Sequence, residues 1–202
     1  MSGKTANLEE KSSIIVNQEE KSVNIITKTI RLYFAKMRCN ERCYHLHAAH
    51  VNWKELALSS LGCILSTGFI TLLSTHHGVP LMIPSFGASV IVLYTACHFP
   101  MAQPRNVVGG HVISAFSGVS VYQLFGNDWW AITLAVVLAM TLMTLTGTLH
   151  PPGGATAFVA VYGGQNFSFI LAPVLIGSSI LILIALLINN ISPARKYPQY
   201  WL

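Results

Sequence analysis

Two short stretches of the sequence combine helix-breaking residues with hydroxyl groups. They read Pro84-Ser-Phe-Gly-Ala-Ser89 and Pro151-Pro-Gly-Gly-Ala-Thr156, and both fit the pattern P-x-x-G-A-[ST]. Proline needs no amide donor at a helix start, so each stretch predicts the beginning of a helix. The first turn of a helix offers free N–H groups and a positive dipole end, which together bind anions. The two stretches therefore predict an anion site.

Polar side chains beside these stretches could also bind an anion. His150 directly precedes the second stretch, and QPRNVVGGH contains three further polar groups. The substrate-binding residues that we predict are Ser85, Gly87, Ser89, Arg105, Asn106, His111, His150, Gly153, Gly154 and Thr156. Other interpretations stay open: HPPGG as a tight turn, Arg105 as an anchor at a membrane interface, and Asn106 as a helix cap.

The chain is too poor in charge to be a water-exposed domain. Of its 202 residues 52% are hydrophobic and 9% are charged, whereas soluble domains carry about a quarter charged residues. Between Leu56 and Pro193 the formal charges are Arg105 and Asp128. We therefore expect an integral membrane domain without a cage for Na⁺ or a metal cation. Histidine is then the group left to carry a coupled proton, at His111 or His150.

Apolar runs predict where the chain crosses the membrane. Four runs approach the ~20 residues that a spanning helix needs, namely Leu56–Ser74, Val107–Phe125, Trp129–Leu149 and Phe169–Ile188. Two shorter runs, Leu81–Cys97 and Ala155–Tyr162, adjoin the proline and glycine breaks. Small residues recur every four positions at Gly110, Ser114 and Gly118, which predicts close helix packing. The aromatic residues expected at the membrane interface are Trp129, Trp130, Tyr197, Tyr200 and Trp201.

The two matching stretches indicate an internal repeat. At the same offset, Val107-Val-Gly-Gly110 matches Val174-Leu-Ile-Gly177. We predict an all-α, polytopic membrane bundle of two three-helix units, about residues 56–125 and 129–190. Three crossings per unit would invert one unit relative to the other. Six crossings place Arg105 and both termini in the cytoplasm, as the positive-inside rule prefers; four crossings with two re-entrant segments are the alternative.

The N-terminal quarter of the chain differs from the rest. We predict a disordered polar segment over residues 1–22, an amphipathic juxtamembrane segment over 23–51, and the transmembrane domain over 52–202. CNERCYHLHAAH, at residues 39–50, holds two cysteines and three histidines. Its spacing matches no compact metal-binding signature, so we predict no metal site there.

The motifs QPRNVVGGH (103–111) and TLHPPGGATA (148–157) resemble the HPP family of integral membrane proteins. FGAS (86–89), YQLF (122–125) and the closing YPQYW resemble it too, and the likeness covers about residues 52–202. Some plant and cyanobacterial members are taken to be nitrite transporters, in plants at the chloroplast envelope. The resemblance implies nitrite as the leading substrate, in the chloroplast envelope of a plant or the plasma membrane of a bacterium.

The function that we expect is transport of a small inorganic anion, by a channel or a carrier, through a cavity that the broken helices build. Two other classes stay open: a membrane anchor or sensor that uses its N-terminal segment to bind a partner or metal, and a histidine-based membrane enzyme. We expect no enzymatic activity, no metal, no cofactor and no nucleic-acid partner. The expected partners are the lipid bilayer and further copies of the chain, because so small a domain holds little of a pathway alone.

Overall fold

The computed structural model describes residues 21, 27–35 and 51–201, and the regular structure there is helical. Residues 1–51 and 52–202 are separate compact units. In the first unit, residues 27–35 form an exposed helix within the predicted amphipathic segment. The Cys/His cluster at 39–50 and the predicted disordered segment, residue 21 excepted, lie outside the described residues.

Six α-helices make up the described part of the second unit. They are α1 (Trp53–His76), α2 (Pro84–Thr95), α3 (Pro104–Phe125), α4 (Trp129–Leu145), α5 (Pro152–Tyr162) and α6 (Ile176–Asn189). A 3-10 turn, Pro100–Ala102, precedes α3, and a π-helical segment, Ile170–Leu175, leads into α6. Three helical runs are long and apolar enough to cross a membrane: α1, α3 and Ile170–Asn189. The predicted fold class, a polytopic helical membrane bundle, is confirmed.

Local signals set several helix ends differently from the apolar runs. α1 begins before Leu56 because the Asn52 side chain accepts hydrogen bonds from the amides of Lys54 (3.2 Å) and Glu55 (3.4 Å). α4 ends at Leu145 rather than at residue 149, because Gly147 takes a positive φ of 64° that stops the helix. The predicted run Trp129–Leu149 is thus too long at its C-terminal end.

Contacts between helix ends show how the chain runs through the bundle. At one end, Arg195 binds Glu55 at the start of α1, and Asn189 at the end of α6 donates to the Leu93 carbonyl near the end of α2. Arg105 at the start of α3 donates to Thr146, just after α4. We call this the basic end; its cations are Lys54, Arg105, Arg195 and Lys196.

The opposite end carries Asp128, and we call it the Asp128 end. α1, α3 and α5 end there, and α4 and the π-helical segment begin there. There the Leu81 amide donates to Ser74 near the end of α1, and Gly164, after α5, lies against Tyr122 of α3. The chain therefore passes between the two ends six times. Residues 77–83 with α2 make one passage and residues 146–151 with α5 make another, so neither broken segment returns to the end from which it entered.

Small residues allow α3 to pack closely against α5, as the four-residue spacing predicts. A Cβ atom on Gly118 would lie 2.6 Å from the Ala157 carbonyl oxygen and 2.6 Å from the Ala160 Cβ. A Cβ on Gly110 would lie 2.6 Å from the Cβ of His150. The prediction of close helix packing at these positions is confirmed, and it fixes where His150 lies.

One predicted interface aromatic is instead a core residue. Tyr197 is buried, and its hydroxyl donates to the Ala102 carbonyl at 2.7 Å. Burial raises the pKa of Tyr197, so the phenol stays protonated and keeps donating. The prediction was wrong here because the C-terminal segment folds back onto the 3-10 turn. Trp129 and Trp201 are exposed, as an interface position requires.

Candidate functional site

The first turns of the two broken helices meet in the middle of the bundle. α2 begins at Pro84 and runs to the basic end, whereas α5 begins at Pro152 and runs to the Asp128 end. Proline occupies the first helical position in both helices; it is the first residue of the stretch at Pro84 and the second residue of the stretch at Pro152. The Thr156 hydroxyl of α5 donates to the Ser85 hydroxyl of α2 at 2.8 Å, so the two turns are in direct contact.

Side chains from three helices and a loop converge at this contact. We call them the central cluster: Ser85, Ser89, His111, His150 and Thr156. His111, from the middle of α3, uses both ring nitrogens within it. Its Nε2 lies 2.7 Å from Ser89 Oγ, and its Nδ1 lies 2.7 Å from Thr156 Oγ1. The final hydroxyl of each P-x-x-G-A-[ST] stretch thus contacts the same imidazole.

His150 completes the central cluster from the loop before α5. Its Nε2 lies 2.8 Å from Ser89 Oγ, the same oxygen that contacts Nε2 of His111. Its Nδ1 donates to the Met101 carbonyl at 2.7 Å, because a carbonyl oxygen can only accept. The centroids of the two imidazole rings are 4.9 Å apart. Ser89 therefore bridges two histidines.

The central cluster is enclosed and carries no carboxylate. Four of its side chains are 0% exposed, and Ser85 is 1% exposed. The Phe86 ring packs edge-on against His111 with 5.2 Å between ring centroids. Within residues 51–201 the carboxylates are Glu55 at the basic end and Asp128 at the other. A positive or neutral centre is the result. No group of three His, Cys, Asp or Glu side chains that could hold a metal ion occurs in the part of the chain that the structure describes.

Two of the predicted anion-binding residues lie near the basic end, outside the central cluster. Arg105 is exposed and donates to the Thr146 carbonyl at 2.9 Å. Asn106 is buried and donates to the Leu149 carbonyl at 3.1 Å and to the Gly147 carbonyl at 3.4 Å. Both side chains therefore hold the loop that leads to His150.

The predicted glycines take three different places. A Cβ on Gly153 would lie 2.7 Å from Ser114 Oγ and 3.1 Å from the Gly110 carbonyl, so this glycine permits contact with α3. Gly154 faces α4, since a Cβ added to it would lie 4.0 Å from Val136. A Cβ added to Gly87 would have no neighbour within 4 Å. The amides of Gly153 and Gly154 donate to the carbonyls of His150 (2.8 Å) and Pro151 (3.0 Å). In this conformation they bind backbone.

Two cavities approach the start of α2 from outside. One, of about 310 Å³, opens near the Asp128 end between Ser74, Gln165 and Pro84, and its lining is partly polar. The other, of about 450 Å³, lies between α1, α2 and α6, and includes Phe86 and Gly87. Both reach Pro84, the first residue of α2, but neither is lined by a side chain of the central cluster.

The sequence analysis did not identify two groups that position the site: the Met101 carbonyl and the Gln103 side chain. The Met101 carbonyl, which orients His150, is a backbone group and leaves no mark in the sequence. Gln103 is 0% exposed; its side chain donates to the Cys97 carbonyl at 2.9 Å and accepts from the Gln199 amide at 2.7 Å. The position of Gln103 directly before Pro104, in the motif QPRN, was the sequence feature that could have indicated its role.

We expect Asn106→Ala to destabilise the protein more than Arg105→Ala does. Removing the buried amide leaves the Leu149 carbonyl without this donor and should lower the free energy of unfolding by about 1–3 kcal/mol. Exposed Arg105 should change it by less than about 1 kcal/mol. SDS titration of the purified variants in mixed micelles measures both values. Equal losses would show that the Asn106 contacts do not stabilise the loop.

The fold and the central cluster define an integral membrane protein of α-helices with a buried histidine–hydroxyl centre. The chain belongs to the HPP family: residues 48–198 match the family described as "HPP, transmembrane region". This finding confirms the resemblance seen in the motifs, and the match includes every residue of the central cluster.

Two transmembrane proteins of Dictyostelium discoideum are similar to this chain. One is 40% identical over 149 residues, which cover 67% of this chain and 52% of the relative. The other is 33% identical over 197 residues, which cover 91% of this chain and 62% of the relative. The chain thus spans about half to three fifths of the length of these relatives. No solved structure matches it.

Proposed function

We propose that this protein transports a small inorganic anion through the centre of the bundle. The observation that carries the proposal is the meeting of two helix N-termini at one buried cluster, joined by the 2.8 Å contact between Thr156 and Ser85. Each helix N-terminus carries a positive partial charge of about half an elementary charge. Two such ends that face each other repel unless something negative lies between or beside them, which makes the centre suited to an anion.

The charge distribution supports an anion over a cation. The central cluster contributes imidazole and hydroxyl groups, which donate hydrogen bonds to an anion. The two carboxylates within residues 51–201 lie at opposite ends of the bundle, away from the centre. Ionisable groups at membrane depth mark transport pathways in many membrane proteins, and His111 lies in the middle of the spanning helix α3.

The contact pattern supports the inverted repeat that we propose for the pathway. Gly177 of α6 admits the Phe86 ring, since a Cβ there would lie 2.2 Å from the ring. At the repeat offset, the corresponding pair is Gly110 and Gly153, which also approach within contact distance. In transporters with inverted repeats the substrate site lies near the bilayer midplane, between broken helices. We propose six membrane crossings, with the α2 and α5 passages as the broken ones.

The closed centre favours transport by rearrangement rather than through an open pore. The central cluster is 0–1% exposed, so an anion reaches it only when the first turns of α2 and α5 separate. The cavity of about 310 Å³ offers the approach from the Asp128 end. Because cations collect at the basic end, the positive-inside rule supports the proposal that this end faces the cytoplasm. The small size of the bundle leads us to propose a homo-oligomer as well.

Nitrite is the substrate that we propose among the small anions, in keeping with the role implied by the family resemblance. The membrane follows from the organism: the chloroplast envelope in a plant, the plasma membrane in a bacterium. Nitrite is small, carries one charge, and accepts hydrogen bonds through both oxygens. Imidazole and hydroxyl donors match those requirements.

Flux into proteoliposomes tests this function. Nitrite, nitrate, formate, chloride and bicarbonate are compared for the native protein, His111→Ala and His150→Ala. We expect nitrite entry in the native protein and its loss in both variants, because each removes a donor that no neighbour replaces. His77→Ala, an exposed histidine beyond the end of α1, is the matched control and should transport normally. If no anion moves under any voltage or pH gradient, the transport proposal is wrong.

A serine beside histidines is also the arrangement of a hydrolase, and we propose that it does not act as one here. No carboxylate orients either imidazole; the partners are the Thr156 hydroxyl and the Met101 carbonyl. Ser89 is 0% exposed, so a substrate carbonyl group cannot reach its oxygen in this conformation. A fluorophosphonate probe should therefore leave Ser89 unlabelled in the folded protein.

A further inference from the structure

The hydrogen-bond directions in the central cluster are fixed from its two ends. At one end, Nδ1 of His150 donates to the Met101 carbonyl. At the other, the single hydroxyl hydrogen of Thr156 goes to Ser85 Oγ, 2.8 Å away. Thr156 then has no hydrogen for His111, so Nδ1 of His111 must be the donor across their 2.7 Å contact. Both imidazoles therefore carry a hydrogen on Nδ1.

Ser89 has too few hydrogens for the neighbours that this arrangement gives it. A neutral imidazole with hydrogen on Nδ1 presents a lone pair at Nε2. Both Nε2 atoms face Ser89 Oγ, that of His111 at 2.7 Å and that of His150 at 2.8 Å. Ser89 Oγ also lies 3.1 Å from the Ser85 carbonyl, so its one hydroxyl hydrogen has three acceptors within reach. Both Nε2 atoms are nearer than that carbonyl, and when the hydrogen serves one of them, two lone pairs are left opposed at the other. One additional proton removes that conflict.

We propose that the central cluster binds one proton between His111 and His150 and that this proton travels with the anion. The inference rests on the proposed transport function. The bound proton forms an N–H bond at Nε2 of one imidazole, which donates to Ser89 Oγ. Ser89 in turn donates its own hydrogen to Nε2 of the other imidazole. Each hydrogen bond in the series from the Met101 carbonyl through His150, Ser89, His111 and Thr156 to Ser85 then has one donor and one acceptor. The cluster carries one positive charge.

Release of the proton changes the contact between the two broken helices. Without it, the cluster is complete only when Nε2 of His111 carries the hydrogen and Nδ1 accepts. Thr156 must then turn its hydroxyl toward His111 and no longer donates to Ser85. In the protonated state Thr156 donates the bond that joins α2 and α5, whereas in the neutral state this bond forms only if the Ser85 hydroxyl turns to donate instead. Proton release therefore changes the donor of the contact between the two helices, which couples proton binding to that contact.

The bound proton has no fixed counter-ion among the described residues. α4 (Trp129–Leu145) and α6 (Ile176–Asn189) carry no titratable side chain. Apart from Glu55 and Asp128 at the two ends of the bundle, no titratable group on the surrounding elements is a carboxylate; the others are Lys54, Cys63, His76, Tyr94, Cys97, His98, Arg105, Tyr122, Tyr162, Arg195, Lys196, Tyr197 and Tyr200. A buried charge without a partner is costly. An anion in the passage supplies the partner, so proton and anion should occupy the centre together.

Solid-state NMR of the full chain in liposomes, labelled with ¹⁵N-histidine, tests the proton site directly. Signals missing from His111→Gln and His150→Gln identify the pair. With nitrite present at about pH 6, we expect one imidazolium within the pair, with hydrogen on both ring nitrogens, and its loss in Ser89→Ala. Ser117→Ala removes another buried serine, one that bonds Ile113 of its own helix, and should keep the signal. Two neutral rings in the native protein, or an imidazolium that survives Ser89→Ala, would overturn the proton site.

Transport measurements separate this inference from the proposed function. Nitrite entry is followed together with the signal of a pH dye inside the vesicles, while potassium and valinomycin clamp the voltage. Protein-free vesicles measure the leak of nitrous acid through the lipid. We expect one proton to enter with each nitrite, independently of voltage. Voltage-driven nitrite entry without acidification would leave anion transport standing and overturn the coupled proton. An imidazolium that depends on Ser89 in a protein that moves no nitrite would support the proton site and remove the anion proposal.

Discussion

Replacing Arg195 by alanine is expected to lower the free energy of unfolding by about 3–5 kcal/mol. The Arg195 side chain is 8% exposed, and its Nε lies 2.6 Å from a carboxylate oxygen of Glu55. The same guanidinium donates to Ser59 at 2.8 Å, to Asn189 at 3.0 Å, and to the Tyr94 carbonyl at 3.2 Å. It therefore joins α1, α2 and α6 at the basic end, and its removal leaves several buried acceptors with fewer donors.

Lys196→Ala is the matched control, because it removes the neighbouring cation, whose side chain is exposed. It should change the free energy of unfolding by less than about 1 kcal/mol. Glu55→Gln should lie between the two, since Glu55 is 28% exposed and the amide still accepts a hydrogen bond. SDS titration in mixed micelles gives all three values. If Arg195→Ala and Lys196→Ala are equally stable, the basic end is not held by this arginine.

Gly118→Ala is expected to be the most damaging single-methyl change in α3. The added Cβ would lie 2.6 Å from the Ala157 carbonyl oxygen and 3.1 Å from its Cα, and backbone atoms cannot rotate away. The two helices must separate, which should lower the free energy of unfolding by about 3 kcal/mol, the upper part of the range for overpacked cores. Separation also moves Thr156, which lies beside Ala157, away from His111. Nitrite flux should therefore fall along with stability.

Gly68→Ala provides the control within the same bundle. Gly68 lies in α1 and has no neighbour within 4 Å of an added Cβ. Alanine favours helix over glycine by up to about 1 kcal/mol, so this variant should be as stable as the native protein or slightly more so. Thermal unfolding in detergent, followed by circular dichroism, measures the difference between the two variants. Similar midpoints for Gly118→Ala and Gly68→Ala would show that α3 and α5 can part without loss.

The α3–α5 contact at Gly118 positions residues of the central cluster directly, whereas the network around Arg195 lies away from it. The contact of α3 with α5 sets the distance between His111 and Thr156, whereas the network around Arg195 holds the outer ends of α1, α2 and α6. Between them, the loop before α5 is held by Asn106 and by the Met101 carbonyl. Substrate movement through a closed centre needs some of these contacts to open while others persist. The contact of Thr156 with Ser85 is best suited to open, because the Thr156 hydroxyl can donate to His111 instead.

Much of this organisation follows from the sequence alone. The scarcity of charge between Leu56 and Pro193 determines a membrane protein, because such a stretch cannot present a wetted surface. The prolines in the P-x-x-G-A-[ST] stretches, Pro84 and Pro152, determine where α2 and α5 begin, since proline fits a first helical position and disrupts later ones. Five of the ten predicted site residues, His111 and His150 among them, indeed meet in one cluster.

The tertiary structure alone decided which polar groups share that centre. Arg105 and Asn106 lie only six and five residues before His111, yet they bind the loop after α4, because the first turn of α3 lies at the basic end and His111 lies deeper. The bond between Ser89 and His150 joins residues far apart in the chain, and Met101 contributes a backbone oxygen that no side-chain pattern marks. Local sequence specifies where helices start and which faces are small. Which side chains meet depends on how closely distant helices approach, and that is fixed by packing across the whole bundle.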